Sequence, residues 1–371
     1  MANQNIKTSE ILERSVQISD GLTQTSADGA NLAFDKKYGI MFCAYMPGFQ
    51  GCYGESRGRI SLTYFPASQP TNSKTIDVAS GNNVYVPNVL SLGEGKVRVF
   101  YEENSKADCD HFVCYKDFDY LSGELSEEKH VMLKKDDGSL VPLTGSEQFA
   151  FLEKNGFFNH KYVATEQISI GGHTMFKGED GYHYGAITSC LAEPILYRSE
   201  DNLATVEFFA VCPYTAQYEM DYKFLNGKIY AIFRTNKNID SVGFTYSEDN
   251  GKTWSEPEFF EKSIQCRPRI IIHNNDILMS YNYFNANTKN RPVIQQGRTS
   301  IKMVYGENRE LVCDLYSKCG IVNVCIIDIL GDAYLAYSTS ELALEYQNGN
   351  PAVRGKDAVR YVKLGDLTPE N

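Results

Sequence analysis

Five side chains able to do chemistry recur at matching places along this 371-residue chain: Glu102, His173, Glu219, Arg234 and Arg267. Paired carboxylates suit cleavage of a glycosidic bond, one as general acid and the other as base or nucleophile. Arginine grips carboxylates through two parallel N–H donors, so two arginines beside them predict an acidic ligand. His173 follows Gly171-Gly172, which allows close backbone approach by a ligand. An imidazole titrates near neutral pH and can serve as general acid or base. Each feature also has a structural reading. Glu219 with Arg234 or Arg267 can be an ion pair plugging a core, and a lone histidine is often held by neighbours.

These residues fall at fixed offsets in a repeated pattern. Six segments read as an apolar strand, a Gly/Asn/Asp turn and a second apolar strand: ANLAFDKKYGIMFCAYM, PNVLSLGEGKVRVFYEE, HTMFKGEDGYHYGAITS, EMDYKFLNGKIYAIFRT, RPRIIIHNNDILMSYNY and NVCIIDILGDAYLAYST. Each is a β-hairpin by pattern and turn chemistry. The second strands are expected to start at Tyr38, Lys96, Tyr182, Lys228, Asp276 and Asp332. Repeats of about 40–50 residues rich in strands indicate β-propeller blades. The expectation is therefore an all-β, six-bladed propeller forming one domain over residues 1–371. An insertion near 131–170 lengthens one repeat, with a short helix in TGSEQFAFLEKNGF capped by Thr144 and Glu147. The early segment ERSVQISDG is expected to supply the outer strand that closes the ring.

In a propeller the first strand of each blade lines the axis. Nine positions before each second strand stand Pro87, His173, Glu219, Arg267 and Asn323, with Asn31 the nearest polar equivalent in the first repeat and Asn88 beside Pro87. Six positions after it stand Ala44, Glu102, Thr188, Arg234, Asn282 and Ser338, with Tyr45 and Glu103 as neighbours. Arg267 and Arg269 flank Pro268, and strand alternation points both to one face. The expected catalytic residues are Glu219, His173 and Glu102. The expected substrate-binding residues are Arg234, Arg267, Arg269, Asn31, Asn88, Asn282 and Tyr45. Glu55, flanked by Arg57 and Arg59, is a reserve carboxylate; its loop reads equally well as a solvated charge cluster.

The sharpest local motif is Ser247-Glu-Asp249-Asn-Gly251-Lys-Thr-Trp254, which matches the Asp box Ser-x-Asp-x-Gly-x-x-Trp at all four defining positions. SEDNLATVEFF, at 199–209, reads as a degenerate copy without the Gly and the Trp. The motif marks a fold rather than a site. With its repeats, the chain resembles the sialidase, or Asp-box, superfamily. Residues 218–257 are similar to the sialidase stretch that carries a catalytic Glu, a substrate-binding Arg and an Asp box. The resemblance implies that Glu219 stands where a sialidase Glu polarises its tyrosine nucleophile. It implies that Arg234 is one of three arginines gripping a substrate carboxylate. The chain departs from the family where an Arg-Ile-Pro motif would stand, having Ala30-Asn31-Leu32. It also has Cys319-Gly320-Ile321 where the tyrosine would stand, with Tyr316 nearby but out of register.

Composition narrows the partners. Lys plus Arg number 36 against 47 Asp plus Glu, a formal charge of −11, which argues against a nucleic-acid surface. No apolar run approaches the ~20 residues of a membrane span. The opening MANQNIKTSEILERS lacks the apolar core of an export signal, and the 10 Cys are scattered, which points to a cytoplasmic protein with reduced thiols. Cys109-x4-Cys114 has no matching second pair and no loop carries calcium-ligand spacing, so neither a metal nor a cofactor is expected. The leading expectation is an exo-acting glycoside hydrolase on an acidic oligosaccharide containing sialic or uronic acid. The alternatives are a lyase cleaving a uronic-acid linkage by β-elimination, with His173 or Tyr45 as base, and a non-catalytic glycan-binding propeller.

Overall fold

Period-two alternation of apolar residues, broken by Gly, Asn and Asp turns, folds the repeats into antiparallel hairpins in the computed structural model of the chain. The structure describes residues 8–19, 26–49, 58–81, 84–103, 110–157, 168–170, 172–189, 192–214, 219–235, 241–263, 267–283, 300–317, 320–340 and 358–369. The described second strands start at Ile40, Lys96, His183, Lys228, Asp276 and Asp332, within two residues of expectation.

The strands form six sheets, five in a propeller-like arrangement and one curled like a half-barrel. The first runs Ser26–Asp35, Ile40–Phe49, Arg59–Pro66, Lys74–Ser80, and the second Val84–Gly93, Lys96–Glu103, Phe112–Asp119, Lys129–His130. The third is built on Ile168–Ser169, Phe176–Lys177, His183–Ser189, Ile195–Ser199 and Thr205–Val211. The fourth runs Met220–Leu225, Lys228–Thr235, Ser241–Ser247, Glu258–Phe259. The fifth runs Arg269–His273, Asp276–Asn282, Ser300–Tyr305, Glu310–Tyr316, and the sixth Gly320–Ile329, Asp332–Ser340, Val359–Gly365. Val16–Gln17 joins the sixth sheet antiparallel to its last strand, as the early segment was expected to do. Thr8–Glu10 adds parallel to Glu310–Tyr316, which was not foreseen.

Six apolar clusters lie between consecutive sheets. Phe42 and Leu62 meet Val89 and Val99 between the first and second. Phe100 meets Ile187 and Tyr197 between the second and third, and Ala186 meets Tyr222 between the third and fourth. Ile232 meets Ile277, and Leu278 meets Leu335, at the next two junctions. Met41 and Phe65 meet Ala336 and Tyr361, joining the sixth sheet to the first.

The inserted segment thickens one sheet. Met132–Lys134 and Leu140–Pro142 extend the third sheet to seven strands. The expected helix spans Gly145–Lys154, and Thr144 Oγ1 accepts the Glu147 N–H at 3.3 Å. The Glu147 carboxylate bonds Lys135. Phe149 and Leu152 pack into the cluster between the second and third sheets. Among the described residues no helix is long and apolar enough to cross a membrane.

The Asp box is a turn held by its own side chains. Ser247 Oγ accepts the Gly251 N–H at 2.8 Å, and Asp249 Oδ1 accepts the Thr253 N–H at 2.8 Å. Trp254 Nε1 donates to the Val211 carbonyl at 2.9 Å, stapling the fourth sheet to the third. The degenerate copy has the same bonds: Ser199 Oγ accepts from Leu203 N–H at 2.8 Å, and Asp201 Oδ1 accepts from Thr205 N–H at 2.8 Å. Leu203 takes the glycine's place at φ +64°, a left-handed conformation that costs a branched residue about 1–2 kcal/mol. Its burial in the apolar cluster offsets that strain.

Gly251, at φ +82°, has room for no side chain, because an added Cβ would lie 2.4 Å from Ala210 Cβ. Gly251→Ala is expected to lower stability by about 2–4 kcal/mol from overpacking and left-handed strain together. Gly227→Ala, at φ +79° with nothing within 4 Å of the new Cβ, is expected to lose only the strain part. Urea denaturation of both variants checks the difference, and equal losses would show that crowding at the Asp box is unimportant.

Candidate functional site

Strand alternation points Asp221 and Lys223 to one face of the fourth sheet's inner strand, with Glu219 one residue before that strand; Arg269 opens the fifth sheet's inner strand, and Arg267 lies two residues before it. Successive same-face residues lie about 6.6–6.8 Å apart along a strand. Glu219 and Arg267 therefore stand at the end where the inner strands begin, and the other three sit deeper.

Arg269 is fully buried and each of its donor groups is consumed by protein. Nε donates to the Val324 carbonyl at 2.8 Å, Nη1 to the Gly172 carbonyl at 2.6 Å and Nη2 to Asn31 Oδ1 at 2.7 Å. Asn31 Nδ2 then donates to the Pro87 carbonyl at 2.7 Å. Asn88 Nδ2 donates to the carbonyls of Ile170 and His173, at 2.6 and 3.0 Å. Expected as substrate binders, Arg269, Asn31 and Asn88 are instead a polar plug joining the inner strands. The register shifts between Asp28 and Asn31, Tyr85 and Asn88, and Val322 and Cys325 are what aim these groups inward. The second of these puts Asn88 in the position that counting had given to Pro87.

Asp221, which offset counting passed over, anchors the other half of the plug. It accepts the Thr174 N–H and Oγ1–H, the Tyr222 N–H and the Ile270 N–H at 3.0 to 3.2 Å. Lys223 Nζ donates to Asp221 Oδ1 at 3.2 Å and lies 4.4 Å from the Phe176 ring centroid. Burial lowers the Lys223 pKa, opposed by Asp221. The alternation from Glu219 was the signal that could have found both residues.

Three further expectations are corrected. His173 is fully buried and its Nε2 accepts the Ala186 N–H at 3.0 Å, so that nitrogen carries no proton. Burial, then Arg269, Lys223 and Arg267, hold its pKa well below the usual imidazole range. A neutral imidazole already bonded in this way is a structural group rather than an acid working near neutrality. Glu102 is fully buried, and its Oε1 accepts the Ile170 N–H at 3.1 Å. Tyr45 lies in the apolar cluster between the sixth and first sheets, where its hydroxyl accepts from Thr63 Oγ1 at 3.3 Å. Tyr316 is exposed on the outer strand of the fifth sheet.

Glu219, Arg234, Arg267 and Asn282 remain at the mouth. Arg234 Nη1 donates to Glu219 Oε2 at 2.9 Å, and the two side chains keep 20% and 12% of their exposure. Asn282 Nδ2 donates to the Ser300 and Ile321 carbonyls, at 3.1 and 3.0 Å, while its Oδ1 has no partner among the described residues. Arg267 is 6% exposed, and its Nε and Nη1 have no partner among the described residues. A buried guanidinium with idle donors is costly unless an anion completes it. Glu55, Gly171 and the segments 215–218, 236–240 and 284–299 lie outside the described residues. At the opposite end of the inner strands, a cavity of about 750 Å³ is lined by Phe176, Tyr184, Phe224, Lys223, Asn226 and Asp328.

No family model and no curated protein matches the chain. Solved structures do resemble it in fold. A Dyadobacter fermentans protein of unknown function is 11% identical, with a TM-score of 0.62 over 94% of this chain and 98% of its own. A Hadza microbial sialidase is 13% identical, with a TM-score of 0.62 over 94% of this chain and 68% of its own. Trypanosoma rangeli sialidase in complex with sialic acid is 12% identical, with a TM-score of 0.60 over 95% of this chain. This chain spans only 57% of that enzyme's length. At these identities the likeness establishes a sialidase-like fold.

The two neighbouring arginines should behave oppositely when replaced. Arg269→Met strands three buried acceptors at roughly 1–3 kcal/mol each, so a loss of at least about 3 kcal/mol is expected. Arg267→Met removes a buried charge whose Nε and Nη1 have no partner among the described residues, and it is expected to leave stability unchanged or raise it. Urea denaturation of both variants is the check, and similar losses would remove the distinction between plug and mouth.

His173 makes the fold acid-sensitive. Its folded pKa is depressed, so the unfolded chain binds the proton first as pH falls through the ordinary imidazole range. Its contribution is complete above that range and is lost below it, by about 1.4 kcal/mol per pH unit. His173→Gln is expected to flatten the pH dependence of stability by close to one proton between pH 6.5 and 5. An unchanged slope would show that His173 is not held neutral.

Proposed function

We propose that the chain is a six-bladed, sialidase-like propeller acting as an exo-glycoside hydrolase on an acidic oligosaccharide, with its site at the mouth formed by Glu219, Arg234, Arg267 and Asn282. The blade count rests on six successive sheets with an apolar cluster at every junction. The observation that carries the functional reading is the buried Arg267, whose Nε and Nη1 have no partner among the described residues. A sugar carboxylate is an anion of the right shape for that fork.

In this reading Arg267 grips the carboxylate and Asn282 Oδ1 accepts a sugar hydroxyl. Arg234 orients Glu219 through their 2.9 Å bond. Glu219 activates the attacking group, and Glu55 is the reserve carboxylate for protonating the leaving oxygen. The buried, unbridged thiols of Cys43, Cys114, Cys212 and Cys325 support a reducing, cytoplasmic setting, which implies short imported oligosaccharides as substrates.

A second reading, a non-catalytic glycan-binding propeller, draws support from Glu102, whose carboxylate serves the Ile170 backbone instead of facing the mouth. The lyase reading loses both of its expected bases, since His173 Nε2 is engaged and the Tyr45 hydroxyl is buried.

Mass spectrometry after incubation with sialylated and uronic-acid oligosaccharides decides among these. Hydrolysis predicts products that have gained one water. Arg267→Ala should then cut kcat/KM by about 10- to 100-fold through loss of a charge-assisted contact. Glu219→Gln should lower kcat. Fragments whose masses sum to the substrate, with new ultraviolet absorbance, would mean elimination. Binding without turnover, lost in Arg267→Ala, would mean a glycan-binding protein.

A further inference from the structure

We infer that a row of side chains on the second sheet, Cys114, Glu128 and His130, is a binding site for a zinc-class divalent cation. The sheet itself assembles the row. Tyr101 pairs with Cys114 in one ladder, and Cys114 pairs with His130 in the next. Side chains directly opposite one another project from the same face of a sheet. Glu128 lies two residues before His130 and so returns to that face. One ligand atom from each of Cys114, Glu128 and His130 lies within 4.8 Å of the others. Tetrahedral zinc bonds of about 2.0–2.3 Å need these atoms less than about 4 Å apart, so binding must draw them closer together.

The surroundings are those of a metal site with an open side. Tyr101 O–H donates to Glu128 Oε2 at 2.5 Å, which orients the carboxylate from behind. The His130 ring stacks on Phe112 with centroids 5.0 Å apart, which fixes its plane. A cavity of about 320 Å³ beside the row is lined by Glu103, Glu128 and Lys116, with Ala79, Ser80 and Val84 from the neighbouring strands. Glu103 brings a second carboxylate to this space. Lys116 is the one cation among the described lining residues, and its long stem lets it yield to an arriving metal. A water from the cavity completes the fourth position. Thiolate, imidazole and carboxylate together select zinc over calcium or magnesium.

Binding converts the buried Cys114 thiol to a thiolate, so a Cys114 S–metal bond forms as the S–H proton passes to solvent, and affinity rises with pH. The cysteine spacing alone hid this site, because its partners are a histidine and a glutamate on the following strand.

Titration of the reduced full-length protein with cobalt(II), as a zinc surrogate, tests the inference. One equivalent should produce a near-ultraviolet thiolate-to-cobalt charge-transfer band that zinc then bleaches. His130→Ala, at an exposed position, should weaken metal binding by more than about 100-fold, since a ligand is lost rather than an outer partner. Cys114→Ser should abolish the band. No band with excess cobalt(II), or a band that persists in His130→Ala, would overturn the inference. Because Cys114 is buried and its variant can fail to fold, His130→Ala is the deciding variant.

Discussion

A single guanidinium holds the inner strands together. Arg269 rises from the fifth sheet and bonds Val324 in the sixth, Gly172 at the edge of the third and Asn31 in the first. Asn31 passes the connection to Pro87 in the second sheet. Asp221 brings in the fourth through Thr174 and Ile270. A charge buried this deeply is tolerable only because carbonyl and amide oxygens replace its water. The arrangement suits arginine alone, since lysine lacks three donor directions in one plane.

The plug explains the character of the mouth. Arg269 is satisfied by neutral oxygens, Lys223 is paired with Asp221, and Arg234 is paired with Glu219. Among the described residues, Arg267 Nε and Nη1 have no partner. Burial, then Arg269, Lys223 and Arg267, lower the His173 pKa, which favours the neutral imidazole.

Part of the register was legible. Glu219 and Arg234, which repeat register brought to one end of the same blade, are bonded to each other at 2.9 Å. Arg267 lies two residues before Arg269. Register moved by one residue where a backbone bulge intervenes, so that Asn88 rather than Pro87 faces inward. Counting failed at Tyr45 because adjacent strand residues point to opposite faces, and Ala44 and Tyr45 enter different clusters. It could not rank depth, so a plug residue and a mouth residue looked alike in the Arg267-Pro268-Arg269 run.

The sequence by itself determined the hairpin repeats, the Asp-box turn at Ser247–Trp254, the capped helix in the insertion and the all-β class, because each depends on local periodicity and turn chemistry. Even the degenerate box at Ser199–Thr205 keeps its hydrogen bonds, since Ser and Asp supply the acceptors without the glycine. The tertiary structure alone decided which polar groups are spent on one another. Partners distant in the chain take up Glu102 Oε1, His173 Nε2, Asn88 Nδ2 and Arg269 Nε, with Ile170, Ala186 and Val324 among them. Hydrogen-bond satisfaction depends on what stands opposite in space, and no spacing along one chain encodes that directly.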